Sequence, residues 1–67
     1  MEPWLKIYTT RNPAEASIIQ GMLEENDISV QMLNKQDSSF NFGYIELYVT
    51  GHLKETAKQL IDKNLLN

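Results

Sequence analysis

Few side chains in this sequence are equipped for chemistry. His52 is the single histidine and cysteine is absent. Asp37, Ser38 and His52 supply the residue types of a catalytic triad. A serine nucleophile also needs a local pattern that holds its hydroxyl against the base, and nothing in the spacing provides one. Asp37, Glu46 and Asp62 form no recognisable motif for acid–base work or metal binding. One histidine without cysteine leaves no zinc site of the usual kind. No GxGxxG or GxxxxGKS loop is present to cradle phosphate. The expectation is a non-enzymatic protein with no catalytic residues, no metal and no cofactor.

The chain has 67 residues and a formal net charge of −3, so residues 1–67 are read as one domain. The negative balance argues against nucleic acid, whose phosphates call for a basic footprint, and against anionic membranes. No apolar run reaches the length of a bilayer span. The opening MEPWLKIYTT lacks the basic and apolar regions of a signal peptide, so a cytoplasmic location is expected. A domain this small buries a thin core, and no disulfide is available to staple it. Self-association is the remaining support, which makes a homo-oligomer, with a dimer favoured, the expected state.

Five elements can be read along the chain. Trp4 to Thr9 is aromatic, aliphatic and β-branched, a strand with Leu5 and Ile7 on one face and Trp4, Lys6 and Tyr8 on the other. Asn12 is a strong helix cap, Pro13 suits the first turn, and Glu15 stands where a capping box places its acid. The helix should run to about Asn26, with Ala16, Ile19 and Leu23 inward, widened by Ala14 and Met22. Gly21 inside it suggests close packing against the sheet. Asn26 and Asp27 tolerate the left-handed conformation that ends a helix. Ile28 to Leu33 is a second strand, with Ile28, Val30 and Met32 inward. Tyr44 to Val49 is a third, with Ile45, Leu47 and Val49 inward and Tyr44, Glu46 and Tyr48 outward. A second helix should begin near Gly51 or His52 and run to about Asn64 on the stripe Leu53, Ala57, Leu60 and Ile61.

The order β-α-β-β-α is most of a ferredoxin-like unit. It predicts an α+β domain: a three-stranded antiparallel sheet in the order first-third-second, two helices on one face, and the final strand missing. That leaves Leu5 to Tyr8 as an open edge, available to a second subunit or a partner strand, or covered by the Leu65-Leu66 tail or by solvent.

Two further regions could bind. The outer sheet face gathers Trp4, Lys6, Tyr8, Tyr44 and Tyr48, suited to a protein interface. Aromatics on such sheets also stack RNA bases, although little beyond Lys6 is basic here, and cross-strand ring pairing alone would account for them. The stretch from Lys35 to Gly43 is long for a hairpin connection. Its Asp37, Ser38, Ser39 and Asn41 could bond a polar ligand and Phe40 and Phe42 could pack on it, or it could be a plain hairpin tip.

The segments IYTTRNPAEASIIQGMLEENDISV, IELYV and KETAKQLI resemble a family of short bacterial domains described as putative prokaryotic signal-transducing proteins. The resemblance lies in the first strand, Glu-Ala in the helix, Leu-Glu near its end, an Ile opening the second strand, and the third strand with the final helix. Asp27 stands where that family usually has glycine. The resemblance implies a ferredoxin-like fold related to PII-type nitrogen regulators, whose loop between the second and third strands contacts partners and maps onto Lys35 to Gly43. It transfers no catalytic residues. The expected function is signal transduction by contact with an unidentified protein partner. The alternatives are a small-molecule sensor, with its ligand near the 35–43 loop or a subunit interface, and a single-stranded nucleic-acid binder on the aromatic face.

Overall fold

The computed structural model describes residues 2–37 and 42–65. Strand β1 spans Trp4–Thr10, helix α1 Pro13–Glu25, β2 Gln31–Asn34 and β3 Ile45–Thr50. A 3-10 turn, Gly51–Leu53, leads into α2, Lys54–Leu65. The strands form one antiparallel sheet in the order β1-β3-β2. The fold is α+β with the ferredoxin-like β-α-β-β-α order, and β1 and β2 are its edges.

The helices pack on one face of this sheet. Ala16, Ile19 and Leu23 of α1 and Ala57 and Ile61 of α2 are buried against Ile7, Ile28, Ile45, Leu47 and Val49. Burial of a Leu, Ile or Val side chain contributes about 1.5–3 kcal/mol, so β3, with Ile45, Leu47 and Val49 all shut away from solvent, is the centre of the stabilising cluster. Ala14 of the expected stripe is exposed. Gly21 is exposed too, and a Cβ built there meets nothing within 4 Å. Close packing therefore does not explain that glycine.

Local signals set the ends of α1. The Asn12 side chain accepts hydrogen bonds from the backbone N–H groups of Ala14 and Glu15, at 2.9 and 3.4 Å. The reciprocal half of a capping box is not made. The Asn12 N–H donates to Thr10 Oγ1 at 3.0 Å, and the Glu15 carboxylate turns to Tyr8 instead. At the other end Asp27 sits at φ 63°. Its N–H donates to Glu24 O at 3.1 Å and that of Ile28 to Leu23 O at 3.0 Å. This is the Schellman pattern, closed by the buried pair Leu23 and Ile28.

Strand β1 contains a bulge. Lys6 lies opposite Tyr48 and Tyr8 opposite Leu47, so Ile7 has no counterpart on β3. The extra residue reverses the alternation beyond it. Tyr8 moves off the outer face, where simple alternation put it, onto the helix side beside Ile61 of α2.

The hairpin also differs from expectation. Lys35 N–H donates to Tyr44 O at 2.9 Å and Asp37 N–H to Phe42 O at 2.7 Å, and Asp37 and Phe42 form a further bridge. The ladder thus climbs well past β2, and much of the stretch read as a long loop is paired backbone. Gly43, at φ 105°, allows this, because a Cβ there would stand 2.6 Å from the Lys35 carbonyl oxygen.

Candidate interaction face

On the sheet face away from the helices, Glu46 occupies the middle of the central strand. Glutamate is a poor strand former, yet this one is only 8% exposed. Three neighbours account for it. Tyr48, two residues along β3, donates its hydroxyl to Glu46 Oε1 at 2.8 Å. Lys6 reaches Oε2 from β1 at 3.3 Å, and Lys35 reaches Oε1 from just beyond β2 at 3.2 Å. These contacts favour the charged form, so the Glu46 carboxyl lies below its usual range, with the Tyr48 hydrogen bond as the largest cause. The Tyr48 phenol is pushed up in return.

Apolar groups surround this neutralised centre. Trp4 at 41% exposure, Leu33 at 46% and Tyr44 at 51% are among the large apolar side chains most open to solvent. Trp4, Gln31, Leu33 and Tyr48 line a shallow hollow of about 280 Å³. Arg11 lies over the Tyr44 ring, its guanidinium carbon 5.8 Å from the ring centroid. The face is therefore a band of aromatic and aliphatic surface with fixed positive groups along it. Trp4, Lys6, Tyr44 and Tyr48 come together there as the alternation predicts, and Tyr8 does not.

The remaining expected positions are less assembled. Phe42 is exposed beside the Asp37 bridge. Ser38, Ser39, Phe40 and Asn41 lie outside the described residues, as does Leu66 of the Leu65-Leu66 tail considered as a cover for β1. His52 and Glu2 are joined through Nδ1 and a carboxylate oxygen, and the His52 N–H donates to Glu2 Oε1 at 3.2 Å. This ties the chain start to the 3-10 turn. Gln36 and Lys35 carried no visible signal in the sequence. Gln36 Nε2 donates to Arg11 O at 2.7 Å, fastening the hairpin to the turn after β1.

A family model described as "Putative prokaryotic signal transducing protein" matches residues 4–64. The chain belongs to that family. The match takes in every strand and both capped ends of α1, so the signal-transducing family and the fold described above concern the same residues. No curated protein and no solved structure matches the chain. Among the described residues, no helix is long and apolar enough to cross a membrane, and no group of three or more His, Cys, Asp or Glu side chains could hold a metal ion.

Proposed function

We propose that this signal-transducing family member is a non-enzymatic module that works by protein–protein contact through its outer sheet face. One observation carries the reading: Trp4, Leu33 and Tyr44 stand exposed on the face whose central carboxylate, Glu46, is already neutralised from within. Exposed aromatics beside a charge-balanced centre can be covered without stranding a buried charge.

A protein other than a second copy suits this face. A two-fold dimer across it would bring Lys6, Lys35 and Arg11 of both copies into one shared interface. The bulge at Ile7 also interrupts β1, the other surface suited to self-association. A small-molecule reading has less support, because the hollow beside Trp4 is shallow and about 280 Å³, below the usual range for ligand sites.

A photo-crosslinking amino acid placed at Trp4, and separately at the exposed helix position Glu24, tests the proposal in native host cells. Reproducible protein adducts at position 4 and none at 24 are expected. Equal labelling at both positions, or none at either, would overturn it.

A further inference from the structure

The charges of this chain are unevenly placed. Outside the helices, Glu2, Asp37 and Glu46 balance Lys6, Arg11 and Lys35. The two helices and the turn after α1 carry Glu15, Glu24, Glu25, Asp27, Glu55 and Asp62 against Lys54, Lys58 and Lys63, so the whole net charge of −3 lies on the helix side. From Asn12 to Asn34, through α1 and β2, there are four acids and no Lys, Arg or His. That stretch borders an apolar groove between the helices. We infer that this groove takes a basic protein segment bearing one large apolar side chain.

The groove has two flanks. Ile18, Ile19 and Met22 of α1 face Ile61 and Asn64 of α2 across a hollow of about 210 Å³, room for one large side chain. Ile18 is 71% exposed, the most open large apolar side chain among the described residues. Gly21 is three residues on from Ile18 and shares its face. Nothing lies within 4 Å of a Cβ built at Gly21, so an incoming chain can approach the bare backbone there. Glu25 follows Met22 by three residues and Ile18 by seven, which puts it on the same face of α1. Glu15 precedes Ile18 by three, with one oxygen held by Tyr8. Of the lysines, Lys58 lines the other flank of α2 beside Ile7 and Tyr8. Lys54 is ten residues from Asn64, and Lys63 adjoins it. Glu15 and Glu25 against Lys63 leave the rim acidic.

The sign of the rim selects the occupant. Nucleic acid and anionic membranes are repelled by it. A second copy would bring two cation-free α1 helices together. A basic segment gains from the rim in encounter and from its apolar side chain in holding. The groove lies on the opposite side of the domain from the outer sheet face, so occupying one leaves the other free. Glu24, six residues from Ile18, is about 120° round α1 from it and away from the groove.

Fluorescence anisotropy of labelled peptides measures binding, and amide NMR of the isotope-labelled protein locates it. The probes are a synthetic Lys/Arg peptide with one central Leu, the same peptide with Ala for Leu, and a Glu-for-basic counterpart. The basic Leu peptide should bind saturably, weaken as salt rises, and shift the amides of Ile18, Met22 and Asn64. Replacing its Leu with Ala, or using an Ile18→Lys/Glu25→Lys variant, should weaken it by roughly tenfold. Both substituted positions are exposed, and a melting curve shows whether the variant folds. The peptide series tests the inference on the unaltered chain in either case. No saturable binding of the basic Leu peptide, equal binding of the Ala or Glu peptide, or full binding to the folded variant overturns the inference. Shifts confined to Trp4, Leu33 and Tyr44 overturn it too. A dimer in sedimentation that the folded variant dissociates overturns it in favour of a second copy.

Discussion

The Tyr8 hydroxyl donates to Glu15 Oε1 at 2.6 Å, joining β1 to the first turn of α1 across the layer between sheet and helices. The bulge at Ile7 puts Tyr8 there. The carboxylate holds the phenol proton, so the Tyr8 pKa is pushed up to about 12, with burial adding to the effect. Because the folded-state pKa is the higher one, the stability from this bond is intact below about pH 10 and is lost as pH rises from there through about 12. Absorbance titration of the tyrosines should show a step near pH 12 that Tyr8→Phe removes. The variant should also melt lower by roughly 4 °C at neutral pH.

The two carboxylates with tyrosine partners govern the acid side. Glu46 is held below its ordinary 4.5 by Tyr48, then Lys35 and Lys6. Glu15 is held below the same value by Tyr8 and then Thr10. A depressed folded-state pKa means the unfolded chain takes up the proton first as pH falls. Stability from both groups is therefore present above about pH 4.5 and is lost below it. Melting temperatures measured from pH 7 down to pH 3 should fall most steeply below that point. Glu46→Gln should flatten the decline and lower the midpoint at pH 7, since Lys6 and Lys35 lose their carboxylate.

Glycine positions should respond in opposite directions. Gly21→Ala adds a methyl group where nothing lies within 4 Å and removes a flexible residue from α1. It should stabilise by about 1 kcal/mol, seen as a midpoint higher by roughly 4–8 °C. Gly43→Ala must place a Cβ 2.6 Å from Lys35 O at φ 105°. It should open the hairpin end and lower the midpoint, with the amide of Lys35 losing hydrogen-exchange protection first.

Asp27 holds a left-handed conformation, φ 63°, that glycine adopts without a Cβ penalty. Asp27→Gly should leave the Schellman hydrogen bonds in place and change stability by less than about 1 kcal/mol. Asp27→Val should lower it by more than about 1 kcal/mol. Chemical denaturation of the pair checks both.

Leu47 is fully buried at the middle of β3. Leu47→Ala should cost about 2–5 kcal/mol, comparable with the whole stability of a domain this size. The variant should be largely unfolded at 25 °C by circular dichroism.

Readings that depended on neighbouring residues held. Asn12 caps α1 because its side chain is two and three residues from the N–H groups it serves. Asp27 ends the helix because its own backbone tolerates positive φ. The alternation of Ile45, Leu47 and Val49 was legible because β3 is a regular strand at the centre of the sheet. Glu15 shows where local reasoning fails. Its spacing from Asn12 satisfies a capping box, yet Tyr8 offers a shorter, stronger bond and takes the carboxylate.

The sequence by itself determined the order of elements, the ends of α1, the inward faces of β3 and α1, and the family, since each is written in residues close together along the chain. Only the tertiary structure decided that Tyr8 turns to the helices, that the hairpin ladder extends to Asp37, and that Glu46 is neutralised by Lys6 and Lys35. An alternating pattern assumes an unbroken pleat, and one unpaired residue at Ile7 reverses everything beyond it. The charge cluster joins residues of β1 and β3 with Lys35 just beyond β2. Their proximity exists only once β3 lies between β1 and β2.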